Sequence, residues 1–288
     1  MQEIKIRKMK FGTCCFCGGK TKFYQRSHKQ CKKLFLEGNK RILSLSDELQ
    51  ESEFNINLCD AIVQEAQTAN FINEEEKKEL LILAWENGLD AVLEKGLLSE
   101  KIEDNFNLYA EHFNLTQYDL DKKNKYMEFA KARILRKVTE GELPDFVKVD
   151  GSLPFNFLKN EKIIWVFQDV DYSSIHDRVR YEGGSIGASF RVARGVYFRT
   201  SSFKGNPVHY QSNEYIDTGI LVVTDKHIYF GSPSQNFRIK YEKIVSFRPY
   251  SDGIGIQRDA MNAKPQVFTL DDGWFAYNLL INIAKIHG

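Results

Sequence analysis

Residues 218–232 read TGILVVTDKHIYFGS. Two apolar runs rich in Val, Ile, Tyr and Phe flank Thr224-Asp225-Lys226, and this pattern predicts a tight hairpin with both strands largely buried. Nothing in the stretch carries catalytic chemistry; it decides architecture. Outward from it, beyond Pro144 and Pro154, alternating periodicity predicts strands at Lys162–Gln168, His176–Tyr181, Ser189–Arg199, Gly219–Val223, His227–Gly231, Phe237–Tyr241, Ile244–Phe247, Gly253–Arg258 and Gln266–Leu270. One amphipathic helix, Trp274–Ile286, closes the chain with Phe275, Leu279, Leu280, Ile283 and Ile286 on one face. Many antiparallel strands and one terminal helix predict a curved sheet or partly open barrel capped by that helix.

Before Pro144 the period is helical. From Leu45 to Glu142 Gly and Pro are scarce, and Leu80, Leu81, Leu83 and Ala84, then Leu89, Val92 and Leu93, recur at helical spacing. Asn73 before three glutamates predicts a helix start, with Gly88 and Gly96 as breaks or stops. Ser99 opens the next helix, through Ile102, Phe106, Tyr109 and Phe113. Thr116 opens a last one, running through Tyr126, Phe129 and Ile134 toward Pro144. The expected fold class is therefore α+β: a small cysteine-rich module over 1–41, an acidic helical bundle over 42–145 and an antiparallel β domain over 150–288.

A chain of 288 residues that is 42% hydrophobic can bury a substantial core. It contains no apolar run of membrane-spanning length, and the basic stretch Met1–Lys10 has no apolar segment behind it, so a transmembrane segment and a signal peptide are not expected. A cytoplasmic location is. The net charge of +1 conceals segregation. Residues 1–41 carry 12 Lys/Arg against 2 acids, and residues 42–142 carry 11 against 22. The basic head either packs on the acidic middle or meets a polyanion.

Four of the five cysteines, Cys14, Cys15, Cys17 and Cys31, crowd the start of the chain, and Cys59 stands alone. An odd, clustered set fits metal binding in a reducing compartment better than a disulfide framework. Cys14 and Cys17 form a C-x2-C pair, and after ten residues His28 and Cys31 form an H-x2-C pair. This is a tetrahedral zinc set, with Cys15 as the odd thiol or a substitute ligand. A knuckle followed by a helix carrying the last two ligands resembles a treble-clef-like finger. Four protein ligands leave no open position, so the zinc is expected to be structural. Lys5, Arg7, Lys8, Lys10, Lys20, Lys22, Arg26, Lys29, Lys32 and Lys33, with Phe23 and Tyr24 among them, either contact phosphates and stack on bases or form a solvated basic surface.

Two further resemblances rest on short motifs. Phe113-Asn114-Leu115-Thr116-Gln117-Tyr118-Asp119-Leu120 resembles the helix joint of the bacterial tellurite-resistance-like helical domain; no acidic metal site is carried over, and His112 reads as an ordinary helix residue. Gly219, Leu221, Thr224, His227 and Phe230, continued by Lys243-Ile244 through Asp252-Gly253, resemble the hairpin of bacterial pleckstrin-homology-like or GRAM-like domains. That resemblance implies recognition of a phosphoinositide headgroup, a peptide or a partner domain, and does not imply an enzyme.

Arg191, Arg199 and Lys226 are the candidate ligand-binding residues of the β domain, either facing an anion or simply exposed. Gly183-Gly184-Ser185-Ile186-Gly187 matches G-x-S-x-G, but a nucleophile elbow leads into a helix and Ala188 onward alternates as a strand. His176 and Asp177, adjacent on a strand, point to opposite faces. Cys59 reads as a core residue. The expected function is a non-enzymatic intracellular adaptor that joins partners through a structural zinc finger and a β module. Its partners are a protein or an anionic surface, peripheral anionic lipid included. The alternative is a nucleic-acid-binding protein acting through the finger.

Overall fold

A computed structural model describes the backbone of residues 11–96, 98–149, 153–182, 186–193, 196–202, 206–260 and 265–287, and the side chains among these outside 174–214. The fold is α+β, and the chain divides into two compact units, Met1–Ala132 and Arg133–Gly288.

The first unit is helical: α1 (Lys29–Leu43), α2 (Leu45–Glu48), α3 (Ile56–Ala69), α4 (Glu74–Lys95), α5 (Glu100–His112), α6 (Gln117–Leu120) and the first half of α7 (Lys125–Thr139). Its ends form where expected. Asn73 and Glu76 make a reciprocal capping box on α4, and Ser99 accepts from the Ile102 amide at the start of α5. Trp85, Phe106 and Phe129 pack with ring centroids 5.3–5.7 Å apart in the core. The buried polar ends of Trp85 and Tyr109 reach the Phe106 and Leu81 carbonyls, each at 3.3 Å.

Two details differ from expectation. Gly88 does not break α4. It lies buried inside the helix, where a Cβ would stand 3.1 Å from the Ser46 carbonyl oxygen and 3.2 Å from Leu49, so its smallness lets α2 pack close. Thr116 does not open one long helix either. It caps only the single turn α6, after which Asn124 takes a left-handed φ of 58° and α7 starts afresh, with Asp121 accepting from the Met127 amide.

The second unit holds β1 (Ile163–Glu182), β2 (Ile186–Ala193), β3 (Val196–Ser202), β4 (Asn206–Thr224), β5 (His227–Gly231), β6 (Asn236–Lys240), β7 (Ile244–Tyr250), β8 (Gly253–Arg258), β9 (Gln266–Thr269) and α8 (Gly273–His287). Seven strands form one antiparallel sheet in the order β6-β5-β4-β1-β9-β8-β7, and β2 and β3 pair separately. The hairpin is as expected: Val223 pairs with Ile228 and Leu221 with Phe230, both strands buried. Two expected strands, Lys162–Gln168 and His176–Tyr181, join into the single strand β1, which bends through a register shift between Phe167 and Val170 where Asp169 has a φ of 51°. The expected strand Ser189–Arg199 is instead two strands, β2 and β3, paired antiparallel, Gly195 in the sequence being an interruption of the alternation. Phe275, Leu279, Leu280 and Ile283 of α8 are buried in the core with Phe230, Phe268 and Tyr172. Among the described residues no helix is long and apolar enough to cross a membrane.

Candidate metal centre

The cluster begins with a knuckle. Thr13 bridges Lys20, the Gly18 amide donates to the Cys14 carbonyl (2.9 Å), and the Cys14 amide donates to the Gly19 carbonyl (2.8 Å). Gly18 has a φ of 69°, a conformation that lets the chain reverse between Cys17 and Gly19. A second segment returns alongside, with the Cys15 amide on the Arg26 carbonyl (3.0 Å), and delivers His28 as the N-cap of α1 and Cys31 in its first turn. The Sγ atoms of Cys14, Cys17 and Cys31 and a ring nitrogen of His28 then lie within 4.8 Å of one another. Zn–S bonds of about 2.3 Å set tetrahedral edges near about 3.8 Å, so the cage closes on an ion with small adjustments.

The histidine is prepared for this role. Its Nε2 lies 2.9 Å from the Lys20 carbonyl oxygen, which only accepts, so Nε2 carries the proton and Nδ1 keeps its lone pair. Nδ1 is the atom that faces the thiols, 3.3 Å from Cys17 Sγ and 3.6 Å from Cys31 Sγ. The thiols differ. Burial pushes Cys14 up, but hydrogen bonds from the Cys17, His28 and Phe16 amides outweigh it and hold the thiol at about 6. Burial, then the neighbouring Cys17 and Cys14, pushes Cys31 up to about 11. The His28 ring is raised by the Lys20 carbonyl and by Cys17. Three thiolates cannot share this space without a cation, and that is the demand a bound metal meets.

Cys14, Cys17, His28 and Cys31 thus converge as their spacing predicts. Cys15 is not among the four converging side chains. Cys59 is buried in the helical core, where burial pushes its thiol up to about 11. Lys5, Arg7, Lys8 and Lys10 lie outside the described residues, as do Gly183–Ser185; the chain beyond them enters β2 rather than a helix. Arg191 lies on β2 and Arg199 on β3, paired with Tyr197 and Ser189; their side chains, and those of His176 and Asp177, lie outside the described residues. Lys226 is exposed in the β4–β5 turn, its Nζ 3.5 Å from the Lys159 carbonyl oxygen.

Sequence reading missed a buried network beside that turn. Glu161 accepts from Thr224 Oγ1 (2.5 Å), the Tyr229 hydroxyl (2.8 Å), the Leu158 amide (2.9 Å) and His227 Nδ1 (2.9 Å). No local spacing signals it, because Glu161 precedes β1 while its side-chain partners sit on β4 and β5. In comparisons with known proteins the chain matches no protein-family model and no curated protein sequence.

Proposed function

We propose that the protein is a non-enzymatic adaptor of the bacterial cytoplasm, built on a structural zinc finger and a pleckstrin-homology-like sheet module. The observation that carries this reading is the closed donor set: three thiols and an oriented imidazole supply four protein ligands and leave no position for substrate. Soft thiolate donors in a tetrahedral set favour zinc. What supports the pleckstrin-homology-like and GRAM-like reading of the second unit is its seven-stranded antiparallel sheet followed by α8. The Thr116–Asp119 capping box, beside Asn114 at a φ of 54°, supports the tellurite-resistance-like reading of the helix joint. The partner is a protein or an anionic surface. Affinity capture with the zinc-loaded full chain tests the adaptor role: a partner retained by the native protein and lost with C14S/C31S supports it, and capture indifferent to the metal contradicts it.

A second reading, nucleic-acid binding through the finger, is favoured by one observation. Phe23 and Tyr24 are 88% and 68% exposed, and Lys20, Lys22 and Arg26 are exposed around them. Bases stack on exposed aromatics while the cations meet phosphates. Binding of single-stranded RNA that weakens steeply with salt and is lost with F23A/Y24A would move the assignment to this reading.

A further inference from the structure

Helix α1 carries little stability of its own. Helices α3, α4, α5 and α6 each open on a side-chain oxygen, from Asn55, Asn73, Ser99 and Thr116, that accepts from a first-turn amide. Helix α1 opens on His28, whose side chain caps no amide, and its first turn holds no acid. Lys29, Lys32 and Lys33 stand instead at the end where the helix dipole is positive. Gly38 lies inside the helix, where its backbone freedom lowers helix stability, and no larger residue fits, because a Cβ there would collide with Asn70.

The docked face of α1 is equally poor. Its buried residues are Gly38, Asn39 and Ile42, of which Ile42 alone brings a large apolar side chain. Asn39 is 4% exposed, and among the described residues neither its Oδ1 nor its Nδ2 has a hydrogen-bond partner. Asn70, 5% exposed, donates to the Leu34 carbonyl (2.8 Å), yet its own Oδ1 is unpaired as well. Buried polar atoms without partners penalise the docked state, since each regains water on release.

What α1 lacks, the metal centre supplies. The His28 amide donates to Cys14 Sγ (3.4 Å), Cys31 sits in the first turn, and the Phe35 ring lies 4.8 Å from that of Phe16 in the knuckle. Three thiolates around a divalent ion leave one net negative charge at the positive end of the helix. We propose that α1 is a metal-conditional latch: it stays docked while the Cys14, Cys17, His28 and Cys31 centre is filled, and when the ion leaves, residues 29–39 detach from the helical core. Ile42, with Leu45 and Leu49 of α2, all fully buried, keeps the far end anchored. The inference rests on the structural metal centre of the proposed adaptor and adds a metal-responsive switch to it. Linkage then ties the ion to a residue that never touches it. Asn39 lies about 12 Å along the helix from Cys31, yet its burial penalty lowers the fraction of metal-free chains ready to bind and so weakens zinc affinity.

The test is hydrogen exchange read by mass spectrometry on the full chain, zinc-loaded and after chelation with the thiols kept reduced, beside zinc affinity by chelator competition. In the native protein, residues 29–39 are expected to exchange about tenfold faster or more without zinc. Asn39→Leu, which removes the orphaned amide at similar volume, is expected to restore most of that protection in the zinc-free chain and to tighten zinc binding about tenfold. Asn39→Ala, a smaller change that also removes the orphan, carries the same direction in both readouts. Exchange over residues 29–39 that is indifferent to zinc overturns the latch and leaves the closed metal centre standing. Variants that leave both zinc-free exchange and zinc affinity at native values overturn it too. A chain that binds no zinc overturns the latch and the metal centre together.

Discussion

At His28 the two ring nitrogens are committed differently, one to the Lys20 carbonyl and one to the thiols. Replacing His28 by Gln removes the Nδ1 ligand, and zinc affinity is expected to fall by at least about tenfold, measured by competition with a chromophoric chelator. Gly219 shows another residue-scale constraint: a Cβ there would stand 2.2 Å from the Gly231 carbonyl oxygen, a backbone atom that cannot move aside. Gly219→Ala is expected to cost about 1–3 kcal/mol in urea denaturation. Asp119 supplies a pH signature. The Lys78 ammonium and the Thr116 hydroxyl hold its carboxyl at about 2, below the value near 3.8 of an unfolded chain. A group with a depressed folded pKa stabilises above its unfolded value and loses that contribution as pH falls through the folded one. The stability gap between the native protein and Asp119→Asn, about 1 kcal/mol for the lost ion pair with Lys78, should therefore hold above pH 4 and close toward pH 2.

At the scale of elements, the β4–β5 turn is held from outside the hairpin. Glu161 gathers Thr224, His227 and Tyr229, and Asp225 accepts from the Lys162 amide at 2.7 Å. Glu161→Ala leaves buried donors without an acceptor and is expected to cost about 3 kcal/mol or more. Glu161→Gln, which keeps an acceptor, should cost less, and calorimetry of the pair checks the order. The hairpin itself was legible because its signal is local: apolar runs 218–223 and 227–231 around a polar turn. The metal set was legible for the same reason, being a matter of spacing. The bend in β1 at Asp169, the burial of Gly88 under α2 and the pairing of Glu161 with His227 were not, because each depends on a partner distant in sequence.

Across the whole molecule, charge segregation acquires a structural meaning within the first unit. The described part of the basic head does not stand apart from the acidic helices: Arg41 pairs with Glu65 at 2.5 Å, the Phe16 ring meets those of Phe35 and Phe71 in tilted contacts, and the Asn70 amide group donates to the Leu34 carbonyl. Helix α1 starts at His28, one of the four converging side chains, and ends in the hydrophobic core, where Ile42 is buried. The boundary between units falls inside α7, with Phe129 in the helical core and Ile134, Leu135 and Val138 in the sheet core, a division that composition does not mark. Chelation is expected to release the knuckle while sparing the sheet: hydrogen exchange should quicken at residues 12–28 and stay slow in β4 and β5.

The most direct measurement is zinc-edge X-ray absorption on freshly purified full-length protein. Three sulfur neighbours at about 2.3 Å and one nitrogen at about 2.0 Å are the predicted shell. Protein free of metal, or a shell rich in oxygen, would contradict a closed Cys14, Cys17, His28 and Cys31 centre and the adaptor role built on it.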